Sequence, residues 1–590
     1  MFILPIHEKL PVPNWSQNGK TVLMKSILQV LLIALLAIPS CGVTPLVDGS
    51  DINSNIARIG ERSTHSSSIV LSGDIVIGRT VYEDRLRGFW LGSTIANWTG
   101  LPTENVRQAP PFFNDDDWLK PLGQDGVVID YALENDPWGS DDDTDIEYVY
   151  QKALEKYDTY LLSGEQIATE WQEHIGLPWL WVSNLAALGQ MQNGAVPPDT
   201  SLPKNNPMWD MIDAQLTTEI FGAMAPGRPD IALEMAHLPI RTTAYLHSEW
   251  ASEFYVIMYS LVPLVDPGLS RREQVIWLAE EARKRLPDWS YIADMYDFVK
   301  AEYDSNEDKD NWEYTRNKVH ERYQMNVTAG YEYKYSWDAG INFASSIVSL
   351  LYGEGDYKKT VRIGTLAGWD SDNPTATWGG LLGLMYGYAG LEEHFNKNDF
   401  SDEYRISRTR INFPTAPDNF TDMALRSLAI IDNVVVKGMG GRVEGDNWVI
   451  PPMDGDIVVA PVEETIVPWK TIEDSDPRWV FKGFETAKEK WNASGASLTT
   501  GQSSCTAQIT FSGTAVQYYS FRNATAGTVV VTLDDVDLGV VDLSSDISKD
   551  GQYYVKVFEQ LDLSPGDHTL RITCDSDLTH KYIDMLSIIP

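Results

Sequence analysis

Apolar residues recur at helical spacing through most of the chain between residues 82 and 435. One such helix is predicted over Arg85–Trp98, and strand-like alternation is scarce in this region. The pattern therefore predicts a large all-α domain. Five further segments show the same spacing, with Pro and Gly between them: Ile212–Met224, Pro229–Ala236, Glu253–Val262, Arg271–Arg285 and Ile341–Tyr352.

Past Pro477 the period of the apolar residues changes to two. Turn signals such as Gly513-Thr514, Ala526-Gly527 and Pro565-Gly566-Asp567 separate the alternating segments. This pattern is typical of a β-sandwich of about a hundred residues. The alternating residues are Ile509/Phe511, Val529/Val531/Leu533 and Leu570/Ile572/Cys574.

The chain is too long, at 590 residues, for one ordinary core, so we predict a multidomain protein. The apolar run Ile27–Ile38 is too short to span a bilayer stably and is typical of a signal peptide. It ends in Pro39-Ser40-Cys41-Gly42, which loosely resembles a bacterial lipoprotein processing site. We therefore expect an exported protein, either secreted or a cell-surface lipoprotein anchored at Cys41. The predicted divisions are a leader over 1–41, a linker over 42–80, the all-α domain over 81–437, a Pro-rich linker over 438–475 and the β-sandwich over 476–590.

Composition limits the partners. The formal net charge of −38 argues against nucleic acid and anionic membranes as partners, because both are polyanions. A lipid at Cys41 is then the only membrane contact that we expect. The chain has three cysteines and no CxxC motif, which argues against a structural zinc site. Cys505 and Cys574 both lie in the predicted sandwich, either as a disulfide or as a free buried pair.

Four aspartates crowd the stretch Asp141-Asp142-Asp143-Thr144-Asp145, which we call the first acidic knot. Helical spacing of apolar residues begins at Ile146, so the knot lies in the cap and first turn of a helix. The helix dipole supplies about half a charge, too little to offset these carboxylates. A solvated acidic loop would explain one such run in so acidic a chain; a bound hard cation is the alternative.

A second acidic knot follows at Asp370-Ser371-Asp372-Asn373, again at a helix start, where Pro374 suits the first turn. The next helix carries Gly379, Gly383 and Gly387 at four-residue spacing, which matches Gly88, Gly92 and Ala96 in the first helix. Such stripes indicate helices in close contact, and packing them together could bring the two knots together.

Glu104 stands on the loop after the first helix, behind Gly100-Leu101-Pro102. With the two knots it makes a case for a site that holds two metal ions, Mg²⁺ or Mn²⁺, because the donors are oxygen atoms with no His or Cys among them. No GxSxG, phosphate-cradling loop or HExxH motif is present, which argues against serine hydrolases, NTPases and zincins.

Together these motifs resemble the ADP-ribosylglycohydrolase superfamily over about residues 82–435. Its opening helix pattern is similar to Arg87-Gly88 through Thr103-Glu104, its second signature to the first acidic knot, and its third to Gly368-Trp369 followed by the second knot. The resemblance implies an all-α fold and a binuclear Mg²⁺ or Mn²⁺ centre that grips a ribose diol while the N- or O-glycosidic bond at C1 breaks.

Carried over by residue, the resemblance implies metal ligands at Asp142, Asp143, Asp370 and Asp372, with Asp141 and Asn373 at the two positions that are usually threonine. It implies that Glu104 is a ligand or acid/base group, and we assign Glu104 and Asp143 as catalytic. Asn97 replaces the aspartate that usually ends the first helix. These departures fit a distinct subfamily with a changed substrate.

Three functions remain open. The first is an exported metal-dependent glycohydrolase of the ADP-ribosylglycohydrolase type that cleaves an N- or O-glycosidic bond to a ribose-like sugar, with an ADP-ribosyl group or a glycan as substrate. The second is a glycosidase that acts on extracellular glycan. The third is a non-catalytic surface carbohydrate-binding protein, which the retention of Glu104 and both knots disfavours. The terminal domain resembles galactose-binding β-sandwiches through Thr514-Ala515-Val516 and the Asp534–Leu538 hairpin, so it is a candidate carbohydrate binder. Its aromatics Trp479, Tyr518, Tyr519 and Phe521 are either a sugar-stacking platform or core residues.

Overall fold

The computed structural model describes the chain from residue 73 to its end, with short gaps. The predicted leader, Cys41 and most of the predicted linker over 42–80 lie outside the described residues. Among the helices that are described, none combines the length and the apolar character that crossing a membrane requires. The described ranges are 73–123, 126–139, 141–176, 180–406, 412–413, 418–461, 469–488, 490, 492–546, 551–575 and 579–590.

A helical domain comes first and a β-rich region follows, as the periodicity predicted. In the described residues the helices are α1 (Arg79–Gly100), α2 (Asp142–Tyr157), α3 (Gly164–His174), α4 (Val182–Gln192), α5 (Glu219–Met224), α6 (Pro229–Ile240), α7 (His247–Leu261), α8 (Arg271–Arg283), α9 (Tyr291–Ser305), α10 (Trp312–Val319), α11 (Ala339–Gly353), α12 (Tyr357–Ala367), α13 (Asp372–Tyr386), α14 (Tyr388–Phe395) and α15 (Phe420–Asn433).

One predicted helix is wrong over its first half. The segment Ile212–Met224 is helical only from Glu219, as α5. Before that point the chain forms turns, where the Asp213 carboxylate accepts the backbone N–H of Ser183 at 3.2 Å. Short polar side chains that bond elsewhere compete with a helix, and this competition outweighs the apolar spacing here.

Helices α1 and α13 pack along their small-residue stripes, as the spacing predicted. A Cβ on Gly92 would overlap the carbonyl oxygen of Gly379, and a Cβ on Gly88 would overlap that of Gly383. The absence of side chains at these positions lets the two backbones touch. Since Gly100 ends α1 and Asp372 begins α13, the close packing also sets where the acidic residues lie.

Short antiparallel strands pair the two ends of the helical domain. Strand β1 (Ile75–Gly78) pairs antiparallel with β7 (Asn447–Ile450), which forms a hairpin with β6 (Arg442–Glu444). These strands lie inside the two segments predicted as linkers, and their pairing joins the start of the helical domain to the chain just beyond α15. Two small ribbons pair β2 (Pro121–Leu122) with β3 (Val127–Val128) and β4 (Glu403–Tyr404) with β5 (Asp418–Asn419).

The C-terminal region contains two antiparallel sheets. One has the order β13-β12-β15-β10-β16, with β9 also on β10, and the other has the order β14-β11-β17-β8. Ile509, Phe511, Val529 and Val531 are buried in the core of this region, as the period of two predicted. The strands are β8 (Lys470–Glu473), β9 (Val480–Lys488), β10 (Ser497–Gly513), β11 (Ala515–Arg522), β12 (Thr528–Leu533), β13 (Val536–Asp542), β14 (Gln552–Gln560), β15 (Gly566–Cys574), β16 (Lys581–Ile583) and β17 (Met585–Ile589).

Of the two alternatives for the sandwich cysteines, the structure has the disulfide: Cys505 and Cys574 join β10 to β15. The four candidate platform aromatics are all buried, with Tyr518 and Tyr519 fully enclosed and Trp479 and Phe521 each 7% exposed. Because all four are buried, the sugar-stacking platform predicted from these side chains is wrong.

Candidate active site

The first acidic knot caps helix α2. Asp141 is the N-cap residue, and its Oδ1 accepts the backbone N–H of Asp142 at 2.8 Å. Asp141 and Asp143 are buried, and Asp142 is half-buried. Free N–H groups and the positive end of the helix dipole favour negative charge here. One carboxylate oxygen from each of Asp141, Asp142 and Asp143 falls within a single 4.8 Å cluster.

The second knot forms where α13 begins and is joined to the loop that carries Glu104. The N–H of Asn105 donates to the carbonyl of Trp369 at 2.8 Å, and the N–H of Trp369 donates to that of Arg107 at 3.1 Å. These bonds hold the two loops side by side. One carboxylate oxygen from each of Glu104, Asp370 and Asp372 consequently lies within a second 4.8 Å cluster.

Asn97, in the last turn of α1, bridges the two knots. Its Nδ2 donates to Oδ2 of Asp143 at 2.9 Å and to Oδ2 of Asp372 at 3.4 Å. Gly100 allows the approach, because a Cβ there would overlap the Cα of Asp372. The clusters are therefore neighbours that share one amide group.

All seven residues predicted for the site line one cleft of about 280 Å³. They are Glu104, Asp141, Asp142, Asp143, Asp370, Asp372 and Asn373. Their roles as metal ligands or catalysts stay predictions, but the structure brings every one of them to the same place.

Electrostatics favour a cation in this cleft. The pKa values of Asp370 and Asp372 lie well above the usual range for aspartate, first because burial penalises the charged form and then because Glu104 repels it. The Oδ1 of Asp372 is buried and has no hydrogen-bond partner among the described residues. Oxygen donors, crowded carboxylates and an unpartnered carboxylate oxygen all fit Mg²⁺ or Mn²⁺.

Asp213, which was not among the residues predicted for the site, also lines the cleft. It is buried, and its Oδ2 accepts both the hydroxyl and the backbone N–H of Ser183 at the start of α4. Burial raises the pKa of Asp213 to about 6. A lone aspartate in a stretch without a motif gives no sequence signal, and only the fold brings it to the knots.

The cleft wall holds two tryptophans that the sequence also did not single out, Trp181 and Trp337. Trp337 stacks on Tyr335, with ring centroids 5.5 Å apart and planes 11° from parallel. The Tyr335 hydroxyl donates to Glu473 in β8, a residue of the C-terminal region. One wall of the cleft is therefore connected to that region.

Strand β14 makes a second connection. Gln552 donates to Gln192 of α4 at 3.0 Å, and Tyr554 is buried in the core of the helical domain. Because α4 begins beside Trp181 and carries Ser183, β14 packs on the helix that positions Trp181 and Asp213.

Beneath the first knot lies a buried pair of glutamates, Glu147 in α2 and Glu219 in α5. Glu147 accepts the N–H of Ile220 at 2.7 Å, and Glu219 accepts the hydroxyl of Thr377 in α13 at 2.7 Å. Burial raises the pKa of Glu219 to about 7 and that of Glu147 well above its usual range, to which repulsion from Glu219 contributes. The pair ties three helices together directly behind the cleft.

Several known proteins are similar to parts of the chain. The family model described as ADP-ribosylglycohydrolase matches residues 79–410. A curated protein of Flavonifractor plautii, "A type blood alpha-D-galactosamine galactosaminidase", is 24% identical over 212 residues, which are 32% of this chain and 19% of that protein. The chain thus matches only about a fifth of the length of that relative.

Two solved structures are also similar. An "ADP-ribosylglycohydrolase-related protein complex" has 13% identity and a TM-score of 0.37, and covers 60% of this chain and 99% of its own. The catalytic domain of GH87 alpha-1,3-glucanase in complex with nigerose has 19% identity and a TM-score of 0.17, and covers 21% of this chain and 28% of its own.

Proposed function

Because the chain belongs to the ADP-ribosylglycohydrolase family, we propose that it hydrolyses an N- or O-glycosidic bond to a ribose-like sugar in the cleft between the two acidic knots. The observation that carries the proposal is the position of Asn97, whose one amide nitrogen donates to Asp143 of the first knot and Asp372 of the second. The family signatures therefore lie in contact, inside a cleft large enough for a sugar.

The proposed cofactor is a pair of Mg²⁺ or Mn²⁺ ions. Asp141, Asp142 and Asp143 would hold one side of the pair, and Asp370, Asp372 and Asn373 the other. When bound, the ions would offset carboxylate charge and supply Lewis acidity to a sugar hydroxyl or to water.

The proposed roles of the protein groups follow from the chemistry of the bond. As the bond from C1 to the leaving nitrogen or oxygen breaks, C1 gains oxocarbenium character, which nearby carboxylates stabilise. Glu104, held on its loop by a 3.1 Å bond from Asn105 Nδ2, protonates the leaving group. Water then adds to C1 and gives its proton to a carboxylate. Asp143 stabilises the charge at C1, and Asp213 is a second candidate acid or base.

A glycosidase that acts on extracellular glycan is the second candidate, favoured by the similarity to the Flavonifractor plautii protein named a galactosaminidase. We also propose export, as a secreted protein or a cell-surface lipoprotein, on the basis of the apolar run over Ile27–Ile38 and Cys41. We also propose that the C-terminal region binds carbohydrate. Its binding surface would have to lie elsewhere than at the four buried aromatics Trp479, Tyr518, Tyr519 and Phe521.

A substrate panel tests the function. The full chain with Mg²⁺ is incubated with ADP-ribosylated protein and with a panel of oligosaccharides, and released sugar is identified by mass spectrometry. Release from at least one substrate is expected, with a loss of at least about a hundredfold in Glu104→Gln. Asp116→Ala, which removes an exposed carboxylate outside the cleft, should leave the rate unchanged. No release from any substrate by metal-loaded protein would contradict the proposal and favour a non-catalytic carbohydrate-binding protein.

A further inference from the structure

We propose that the cleft takes an uncharged glycoside and discriminates against phosphorylated sugars, including ADP-ribose; this inference rests on the proposed function and names its substrate class. Two features carry it: the carboxylates that line the cleft and the aromatic and aliphatic side chains of its wall.

The charge of the cleft is the first feature. Seven carboxyl groups line it, whereas two divalent ions would bring only four positive charges. A diphosphate entering this space would meet the remaining charges in surroundings where water screens them poorly. A neutral sugar carries no such penalty. The seven groups belong to Glu104, Asp141, Asp142, Asp143, Asp213, Asp370 and Asp372.

Asp141 and Asp213 are two carboxylates more than the usual family pattern supplies at the positions of the two knots and Glu104. Asp141 stands where the family usually has a threonine, so it adds a carboxylate at the N-cap of α2. Asp213 comes from a separate segment, and Ser183 fixes its carboxylate inside the cleft. The chain thus supplies additional negative charge where a phosphorylated substrate would need the opposite.

The wall is the second feature. Trp181 and Trp337 line the cleft together with Val182, Ile212 and Leu216. An indole face packs against the C–H face of a sugar ring, and such surfaces favour apolar contact over ionic contact. Tyr335, stacked on Trp337, holds that indole in place.

Binding measurements on a variant that does not turn over separate this inference from the hydrolysis itself. Glu104→Gln loaded with Mg²⁺ is titrated by calorimetry with methyl β-D-ribofuranoside, ribose 5-phosphate, ADP-ribose and a panel of neutral oligosaccharides. We expect at least one phosphate-free glycoside to bind, and ribose 5-phosphate and ADP-ribose to bind at least about tenfold more weakly than it, which corresponds to about 1.4 kcal/mol. Raising the salt concentration should narrow the gap, because screening weakens the repulsion.

The aromatic wall is tested in the same assay with Trp181→Phe and Trp337→Phe, which keep an aromatic ring, and with Trp181→Ala. The alanine variant should weaken binding of the neutral glycoside about tenfold, with the phenylalanine variants in between and Mg²⁺ binding unchanged in all three. Any one of three results would overturn the inference. ADP-ribose could bind more tightly than every neutral glycoside, or no neutral glycoside could bind. The affinity for the neutral glycoside could also stay unchanged in all three variants. Preference for neutral sugars without hydrolysis of any would overturn the proposed function alone.

Discussion

Asn97 Nδ2 lies 2.9 Å from Oδ2 of Asp143, although the two residues are 46 positions apart in the chain. The same nitrogen is 3.4 Å from Oδ2 of Asp372, so one neutral side chain separates two acidic ones. Because the amide donates to both, it reduces the repulsion that two buried carboxylates would otherwise feel. A carboxylate at position 97 would add charge to this repulsion.

Replacing Asn97 therefore tests how much its hydrogen bonds to the two acidic knots stabilise the metal-free protein. Asn97→Asp should lower the free energy of unfolding of the metal-free protein by about 1–3 kcal/mol, since a donor is lost and a charge is added. Thermal unfolding with and without Mg²⁺ measures this, and the loss should shrink when Mg²⁺ is present. An equal loss in both conditions would show that Asn97 acts only through packing.

The close contact of α1 and α13 along their glycine stripes can be tested by substitution. Gly92→Ala should destabilise the protein by about 1–3 kcal/mol or more, because its Cβ would overlap the backbone of Gly379. Gly189→Ala in α4 is the matched control: its nearest non-local neighbour is the Tyr553 carbonyl oxygen at 3.4 Å, so the helix tolerates the methyl group. Chemical denaturation measures both variants, and equal effects would contradict the account of close helix contact.

The buried glutamates predict a pH dependence of stability. Burial raises the pKa of Glu219 from 4.5 to about 7, so the folded state binds a proton that the unfolded state releases between these values. The contribution of Glu219 to the free energy of unfolding should consequently be largest below about pH 4.5 and should fall as the pH rises toward 7. Glu219→Gln should flatten this fall by roughly 1–3 kcal/mol. Urea denaturation at pH 5 and pH 8 measures it; a Gln variant whose stability falls as steeply as that of the wild type would contradict it.

The hydrogen bond from Tyr335 at the cleft wall to Glu473 of the C-terminal region can be removed on its own. Tyr335→Phe removes the hydroxyl that donates to Glu473 but keeps the ring that stacks on Trp337. We expect a loss of about 1 kcal/mol in stability and a changed environment of Trp337. Because the chain has 20 tryptophans, the fluorescence of Trp337 is taken as the difference between otherwise identical proteins with Trp337 and with Trp337→Phe. Tyr314→Phe, on an exposed tyrosine, is the control and should change neither.

Much of this arrangement could be predicted from local patterns. The helix after Asp141, the glycine stripes on α1 and α13 and the burial alternation of β10 and β12 all follow from periodicity over a few turns or strand residues. Asp141–Asp143 and Asp370–Asp372 stand out because neighbouring carboxylates repel and need an explanation.

Other parts depend on the tertiary fold and give no local signal. Trp181 and Trp337 come from segments without repeated spacing, and Asp213 lies in the half of Ile212–Met224 where the apolar spacing predicted a helix wrongly. Only the packing of α4 and the turns before α5 and α11 brings the three residues to the cleft. The burial of Tyr518 and Tyr519 likewise depends on the tertiary fold, since an aromatic in a strand suits either face. Tyr518 packs in the core of the C-terminal region, whereas the Tyr519 hydroxyl donates to the carbonyl of Lys204 in the helical domain at 3.4 Å.

Binding of Mn²⁺ to the full chain, followed by isothermal titration calorimetry, tests the dimetal site most directly. We expect two ions per chain and no measurable binding after Asp143→Ala with Asp372→Ala. The matched control removes two exposed carboxylates outside the cleft, Asp116→Ala with Asp546→Ala, and should bind as the wild type does. Mn²⁺ binding that survives Asp143→Ala with Asp372→Ala unchanged would contradict the account.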